Sequence, residues 1–208
     1  MLLNRRYGHD VEYRKIDSKV NHHLSLLKES PFIKRTFDLE DGHAYVFDGG
    51  RMQIGRVESA EFSSLELVEH TLIIRHIWIT ESNRGRGLGR EAMTLVRDMF
   101  IDTNVALFLW AIPIEIPVYD AHGCTVIDDP DKQKKLVSFY EELGWVVQDP
   151  VNLYVPVMLM EMVGRYEKYS LIPAPMVLAG KKLPKGLKEQ IRSNTISGDK
   201  WFSDCGLS

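Results

Sequence analysis

The sequence predicts an α/β fold, and three observations carry this prediction. Residues Thr71–Thr80 form an apolar, β-branched run that is typical of a strand buried on both faces. A glycine-rich turn follows, and apolar residues then recur at helical spacing from about Gly89 to Phe100. A second apolar run, Val105–Ile112, has the length of another buried strand. A strand–helix–strand unit of this kind lets the two strands pair in parallel through a right-handed crossover.

Before this unit the sequence predicts a helix and a hairpin. Ser18 can cap a helix that runs to about Glu29, and Ser30-Pro31 ends it. Residues His43–Phe47 and Arg51–Ser59 are predicted strands, with a turn at Asp48-Gly49-Gly50 between them.

After this unit the sequence predicts a long loop, Pro113–Asp129, and then a helix. Asp129 is the expected N-cap and Pro130 the first helical residue, while Gly144 is a typical C-terminal glycine. A last strand is predicted over Val151–Val163, at an edge or with a bulge because it contains a proline.

Beyond Arg165 the regular spacing weakens. Prolines and lysines replace it, notably Pro173, Pro175, Pro184, Lys181, Lys182, Lys185 and Lys188. We therefore predict one domain over residues 1–165, followed over residues 166–208 by an extension that wraps on the core or forms a mobile tail.

Composition excludes several classes of protein. The chain is 44% hydrophobic and 26% charged, as in ordinary globular domains, and its net charge of −3 gives no basic footprint for nucleic acid. Its two cysteines, Cys124 and Cys205, match no metal or redox spacing. We find no apolar run long enough for a signal peptide or a membrane span, so we expect a cytoplasmic protein without a metal site.

The residues between the first buried strand and its helix carry the clearest chemical signal. Glycines there let the chain adopt positive φ and let a ligand approach the backbone, and the helix beyond offers free N–H groups and a positive dipole end. Arginines add charge and paired donors, so the stretch predicts an anion-binding loop. Its residues are Arg84, Gly85, Arg86, Gly87, Leu88, Gly89 and Arg90.

The spacing narrows the choice of anion. No lysine follows the glycines as a P-loop requires, and Gly85, Gly87 and Gly89 do not match the dinucleotide fingerprint. A glycine-rich turn with solvated arginines is the alternative that the residues leave open.

Two segments resemble the GCN5-related N-acetyltransferase (GNAT) superfamily. Residues Arg84–Gly89 match its Arg/Gln-x-x-Gly-x-Gly/Ala signature, and Ser138–Trp145 is similar to its Phe-Tyr-x-x-Leu-Gly-Phe stretch. The resemblance covers roughly residues 39–162. It implies a mixed, largely antiparallel sheet with splayed central parallel strands, flanked by helices.

The resemblance also implies acetyl-CoA as the acyl donor, bound between the two splayed strands. The pantetheine would pair with Ile77, Trp78 and Ile79, and the pyrophosphate would lie on residues 84–90. Relatives carry a CoA-contacting Asn where this chain has Gln133.

The resemblance also gives candidates for the catalytic residues. Tyr140 matches the tyrosine that protonates the CoA sulfur in relatives, although a core aromatic on the helix stripe is the alternative. For the general base, His76 is the candidate on the first splayed strand, but simple alternation points it away from the site unless a bulge rotates it. Glu81 and His122 are weaker candidates.

Substrate contacts are predicted from charge. Arg75 would hold a substrate carboxylate or form a buried ion pair. Glu115 and Asp120 belong to an acidic loop that is either a lid for a cationic amine or simply solvated.

We therefore predict an N-acetyltransferase that acts on a small-molecule or protein amine. The rival is a non-catalytic GNAT-fold module that holds CoA or a protein partner. A homodimer stays open, and nucleic-acid binding through the lysines of residues 181–188 is disfavoured because they are few.

Overall fold

The computed structural model describes residues 18–39, 42–56, 70–115, 125–127, 129–149 and 172–205. In these ranges no helix is long and apolar enough to cross a membrane. The helices there are α1 (Ser18–Glu29), α2 (Leu88–Phe100), α3 (Pro130–Glu142), α4 (Lys185–Ser193) and α5 (Gly198–Asp204). The strands there are β1 (Ile33–Leu39), β2 (Gly42–Phe47), β3 (Gly50–Arg56), β4 (Thr71–Ile79), β5 (Ala106–Ala111), β6 (Ile114–Glu115), β7 (Thr125–Val126), β8 (Val146–Gln148), β9 (Ala174–Ala179) and β10 (Thr195–Ile196).

Eight of these strands form one sheet in the order β1-β2-β3-β4-β5-β9-β8-β10, and β6 pairs with β7 in a separate hairpin. Every pair of neighbours is antiparallel except β4 and β5, which are parallel. The predicted fold class, a mixed and largely antiparallel sheet with a central parallel pair and flanking helices, is confirmed.

The two parallel strands separate part of the way along their length. Their pairing runs from Thr71 opposite Ala106 to Ile74 opposite Leu109 and then stops. Beyond that point β4 stays paired with β3 as far as Ile79, and β5 stays paired with β9. The first four residues of β4 are buried and the last five are partly exposed, so exposure begins where the pairing ends. The predicted splay is therefore present.

Two apolar cores lie on opposite faces of the sheet, because alternate strand residues point to opposite faces. Leu107 and Leu109 of β5 belong to the larger core, with residues of α1, α2 and α3, whereas Ala106 and Phe108 belong to the smaller core, which α4 covers. The helix α2 contributes Ala92, Met93, Val96 and Phe100 to the larger core.

Local signals predicted the helix ends and the hairpin turn well. The Asp129 side chain accepts a hydrogen bond from the Lys132 backbone N–H at 3.0 Å, as an N-cap should. Gly144 after α3 and Gly49 in the β2–β3 turn both have positive φ, 89° and 85°.

The edge strand β1 was not predicted. Only Ile33 of its seven residues is buried, and Phe37 and Leu39 are 53% and 38% exposed. An edge strand that buries so little of its surface shows almost none of the burial periodicity on which sequence analysis depends.

Part of the predicted C-terminal extension packs on the main sheet and its core. β9 lies inside the main sheet between β5 and β8, and Trp201 and Phe202 of α5 lie in the larger core. Pro175 had suggested irregular chain, but β8 pairs only with Met176 and Val177, so the proline lies where β9 has a ladder partner on one side only. The predicted strand Val151–Val163 lies outside the described residues.

The position of β9 gives a stability prediction. Met176 is fully buried, so Met176→Ala should lower the free energy of unfolding by about 2–5 kcal/mol, as for other large-to-small core changes. The control Lys185→Ala, at a side chain 90% exposed, should change it by less than about 0.5 kcal/mol. Urea denaturation measures both, and equal effects would show that β9 is not part of the core.

Candidate functional site

The predicted anion-binding loop connects the end of β4 to the start of α2. A single 3-10 turn, Glu81–Asn83, leads into it. Gly85 and Gly87 have φ of 76° and 81°, a backbone conformation that favours glycine, and Gly87 is the residue that precedes the first turn of α2. The glycines therefore occupy positions where the turn requires them.

The first turn of α2 presents unpaired backbone donors. Its first intrahelical hydrogen bond runs from the Glu91 N–H to the Gly87 carbonyl at 3.0 Å, and no side chain caps this end. Within the described ranges, no backbone carbonyl accepts from the N–H groups of residues 88–90. A Cβ at Gly85 or Gly87 would meet nothing within 4 Å, so the space in front of these donors is open. This geometry suits an anion.

The three arginines of the loop do not share one role. Arg84 Nε donates to the Ile79 carbonyl at 3.3 Å, and Arg86 Nη1 donates to Asn83 Oδ1 at 2.6 Å. These acceptors are neutral, so the two charges stay available to an anion. Arg90 instead pairs with Glu142 at 2.6 Å and lies 5.3 Å from the Phe139 ring centre. The start of α2 therefore lies against the end of α3.

The open edge of β4 begins directly before this loop. Ile77, Trp78 and Ile79 all lie past the last residue that pairs with β5. Along a strand, successive residues turn their backbone N–H and C=O groups to opposite edges, so part of this stretch offers unpaired groups to the gap. The gap thus combines a loop with unpaired backbone donors and a free strand edge.

A β-bulge determines which side chains face the site. The β3–β4 register shifts between Gln53, opposite His76, and Ile54, opposite Ile74, so that Arg75 is the extra residue. After the bulge Ile77 packs on the larger core, as Ile74 does before it. His76 therefore faces the opposite side of the sheet, together with Gln53. The bulge that sequence analysis had invoked to turn His76 is present.

His76 is a neutral imidazole at neutral pH. Burial, and to a lesser extent the charges of Arg51 and Arg75, together lower its pKa to about 4. Arg51 itself lies 5.9 Å from the centre of the Trp78 ring, and its register partner across the strands is Trp78. Two arginines and a neutral histidine thus occupy neighbouring positions of β3 and β4.

Tyr140 lies on the buried face of α3 in the larger core. Its ring centre is 5.1 Å from that of Phe139 and 6.0 Å from that of Trp145. Burial raises its pKa, so the phenol is protonated throughout the physiological range. The neighbouring residue Phe139 contacts Arg90 in the first turn of α2. Tyr140 therefore lies close to the start of α2, where the glycine loop ends.

Gln133 shares the buried stripe of α3 with Tyr140, but its amide nitrogen is already engaged. Nε2 donates to the Ala111 carbonyl at 3.1 Å and to the Ile172 carbonyl at 2.7 Å. Oε1 is buried and has no hydrogen-bond partner within the described residues. Gln133 therefore ties the end of β5 to the segment before β9, and only Oε1 is left for a CoA contact.

The predicted acidic substrate contacts lie mostly beyond what the structure describes. Glu115 belongs to β6, which pairs with Thr125–Val126, and its side chain is outside the described part. Asp120 and His122 are outside it altogether. Sequence analysis did not find Arg51, Gln53 or Trp110, because only the strand register shows that they share a face with His76.

Comparisons with known proteins add little. No protein-family model matches the sequence, and no curated protein does. One solved structure, from Bacteroides thetaiotaomicron, is described as a proposed acetyltransferase of the GNAT family and shares 13% sequence identity with this chain. The match has a TM-score of 0.38 and covers 85% of this chain and 90% of that chain. Similarity at this level carries no argument about activity.

The lowered pKa of His76 gives a pH prediction. An unfolded histidine titrates near pKa 6.5, whereas the folded His76 titrates at about 4, so the unfolded chain binds the proton more readily. The stability that neutral His76 contributes is therefore complete above about pH 6.5 and falls as the pH drops toward 4.

In the variant His76→Gln, the unfolding free energy should fall less between about pH 7 and about pH 4.5 than in the parent. Arg35→Gln, at an exposed residue of β1 that does not titrate in this range, is the control and should follow the parent curve. Denaturant unfolding at both pH values measures the difference. Identical pH dependence in the parent and His76→Gln would contradict the assignment.

Proposed function

We propose that this chain is an N-acetyltransferase that transfers an acetyl group from acetyl-CoA to a primary amine. One observation carries the proposal: the open glycine loop at the start of α2 directly follows the unpaired end of β4. Acetyl-CoA has an anionic pyrophosphate and a long arm with two amides. A site with free helix N–H donors beside a free strand edge is complementary to both parts.

Under this proposal the pyrophosphate binds the loop of residues 84–90 through the free backbone N–H groups that follow Arg84, assisted by the side chains of Arg84 and Arg86. The pantetheine amides pair with the open edge of β4 at Ile77, Trp78 and Ile79. This part of β4, residues 75–79, extends over roughly 16 Å at the usual rise of a strand. The thioester would then lie toward the bulge, where the two strands separate.

Transfer requires a neutral amine to attack the thioester carbonyl, with a new C–N bond formed and the C–S bond broken. We assign to Tyr140 the proton that the departing thiolate takes up, because burial keeps its phenol protonated, and the phenolate then regains a proton from solvent. We assign to His76 a hydrogen bond to the attacking amine. Its low pKa makes it a weak acceptor for the amine's proton, so that proton goes to solvent.

The rival function is a non-catalytic module that holds CoA or a protein partner. Two observations favour it: Tyr140 is packed in the larger core, and the candidate base on β4 has a low pKa. Release of free CoA in the presence of a panel of amines separates the two functions. A protein that binds acetyl-CoA and releases none with any amine is the module.

Gly89 allows a direct test of the loop. It has no positive φ, and an added Cβ would meet only Ile79 Cγ1 at 3.9 Å, so Gly89→Val should fold. The added side chain would fill the space in front of the helix donors. We expect the affinity for acetyl-CoA, measured by calorimetry, to fall at least roughly tenfold, since hydrogen bonds to charged groups are each worth about 1.5–3 kcal/mol.

The chain offers a matched control for this variant. Gly186 is the second residue of α4, as Gly89 is of α2, and a Cβ there would meet nothing within 4 Å. Gly186→Val should leave the affinity unchanged. Equal affinity in both variants would mean that the loop does not bind the pyrophosphate.

Tyr140→Phe tests the acid. The substitution keeps the ring and its packing and removes the proton, so kcat should fall roughly 10²-fold while acetyl-CoA affinity and Tm change little. Tyr45→Phe is the control, because Tyr45 is a buried tyrosine whose hydroxyl donates to the Leu24 carbonyl at 3.4 Å, away from the site. Parental turnover in Tyr140→Phe would show that Tyr140 is only a core aromatic.

A further inference from the structure

One face of the sheet carries a group of polar and aromatic side chains beside the gap, which we call the polar sheet face. All of its members are half-buried, whereas the same face at the other end of β4 and β5 is covered by the smaller core. The strand registers place two of its residues on β3, two on β4 and one on β5. They are Arg51, Gln53, His76, Trp78 and Trp110.

Arg51 is the member of this group whose side chain is positively charged at neutral pH. Its Nε is buried and has no hydrogen-bond partner, and its guanidinium lies over the Trp78 ring. In the part of the chain that the structure describes, no carboxylate lies within ion-pair distance of it. A partly buried cation without a counter-charge is costly, and an external anion would offset that cost.

The surroundings of Arg51 do not supply the missing charge. The neutral His76 and the amide of Gln53 face the same side and carry no charge. Among the described residues of the polar sheet face, Arg51 is therefore the one that is charged at neutral pH. An Arg fork stacked on an aromatic ring is well suited to bind a carboxylate or a phosphate through two parallel hydrogen bonds.

This anion site differs from the loop that precedes α2. The helix α2 packs its buried residues into the larger core, whereas Arg51 alternates with the larger-core residue Met52 and so points to the opposite face of the sheet. A donor bound in the gap would thus meet the loop on one side and the polar sheet face on the other. The polar sheet face is where a second substrate can approach.

We propose that the polar sheet face binds the acyl acceptor, and that Arg51 pairs with an anionic group, carboxylate or phosphate, carried by that amine. The inference rests on the proposed function. It gives the substrate class as an amine that bears an anion, and it makes Arg51 a specificity-determining residue. The anionic group would lie on the Trp78 side and the amine on the His76 side, toward the bulge.

The test uses matched acceptors at saturating acetyl-CoA. Each common amino acid is compared with the amine left after its decarboxylation, and phosphoethanolamine is compared with ethanolamine. We expect the anionic member of a productive pair to have the higher kcat/KM. Arg51→Met should lower that value roughly ten- to hundredfold, the usual effect of losing a hydrogen-bonded charge partner, and leave the uncharged member unchanged.

Two further variants sharpen the result. Arg51→Lys keeps the charge but loses the planar fork, so it should lie between the parent and Arg51→Met, and it carries the test if Arg51→Met has a lowered Tm. Arg35→Met, at an exposed arginine of β1, should behave as the parent. Acetyl-CoA affinity, measured by calorimetry, should be the same in all four proteins.

Three results would overturn the inference: equal kcat/KM for both members of every pair, an equal loss for both in Arg51→Met, or a loss of acetyl-CoA affinity in that variant. The last would assign Arg51 to the donor. Binding of the anionic amines is also measured by calorimetry without acetyl-CoA. Heat that Arg51→Met abolishes would support the anion site even if the proposed transfer fails, and absence of both heat and turnover would reject it.

Discussion

The separation of β4 from β5 after Ile74 and Leu109 is the constraint on which the rest of the site depends. β4 is held on its other edge by β3, and β5 by β9, so neither strand can move to close the gap without breaking a second ladder. The bulge at Arg75 turns the following side chains over. Two departures from regular pairing therefore meet at the same point of β4: the end of its pairing with β5 gives the strand a free edge, and the bulge against β3 gives the neighbouring face its polar residues.

The loop beyond β4 is held before any ligand arrives. The Thr80 N–H donates to the Gly49 carbonyl at 2.8 Å, Asn83 Nδ2 donates to Thr80 Oγ1 at 2.7 Å, and Arg86 donates to Asn83. These contacts tie the turn of the β2–β3 hairpin to the loop. A loop ordered by its own hydrogen bonds loses less entropy when it binds an anion.

Features with a local signal could be predicted from the sequence, whereas features that depend on pairing between distant segments could not. Glycines at positive φ, the Asp129 cap and the strand–turn–helix order could be seen in short windows. The insertion of β9 beside β5 could not, because Pro175 is acceptable only where one ladder partner is missing. Arg51 was missed for a related reason: its closeness to His76 depends on the β3–β4 register.

Under the proposed function, the polar sheet face also affects how the attacking amine loses its proton. Burial and two arginines lower the pKa of His76 to about 4, and an ammonium group bound beside it would meet the same surroundings. Both groups are cations when protonated, so the pKa shift has the same sign in each. An acceptor's own anion, paired with Arg51, would offset part of this effect. Under the proposed function, the amine would then release its proton to solvent on binding, and transfer would need no strong base on β4.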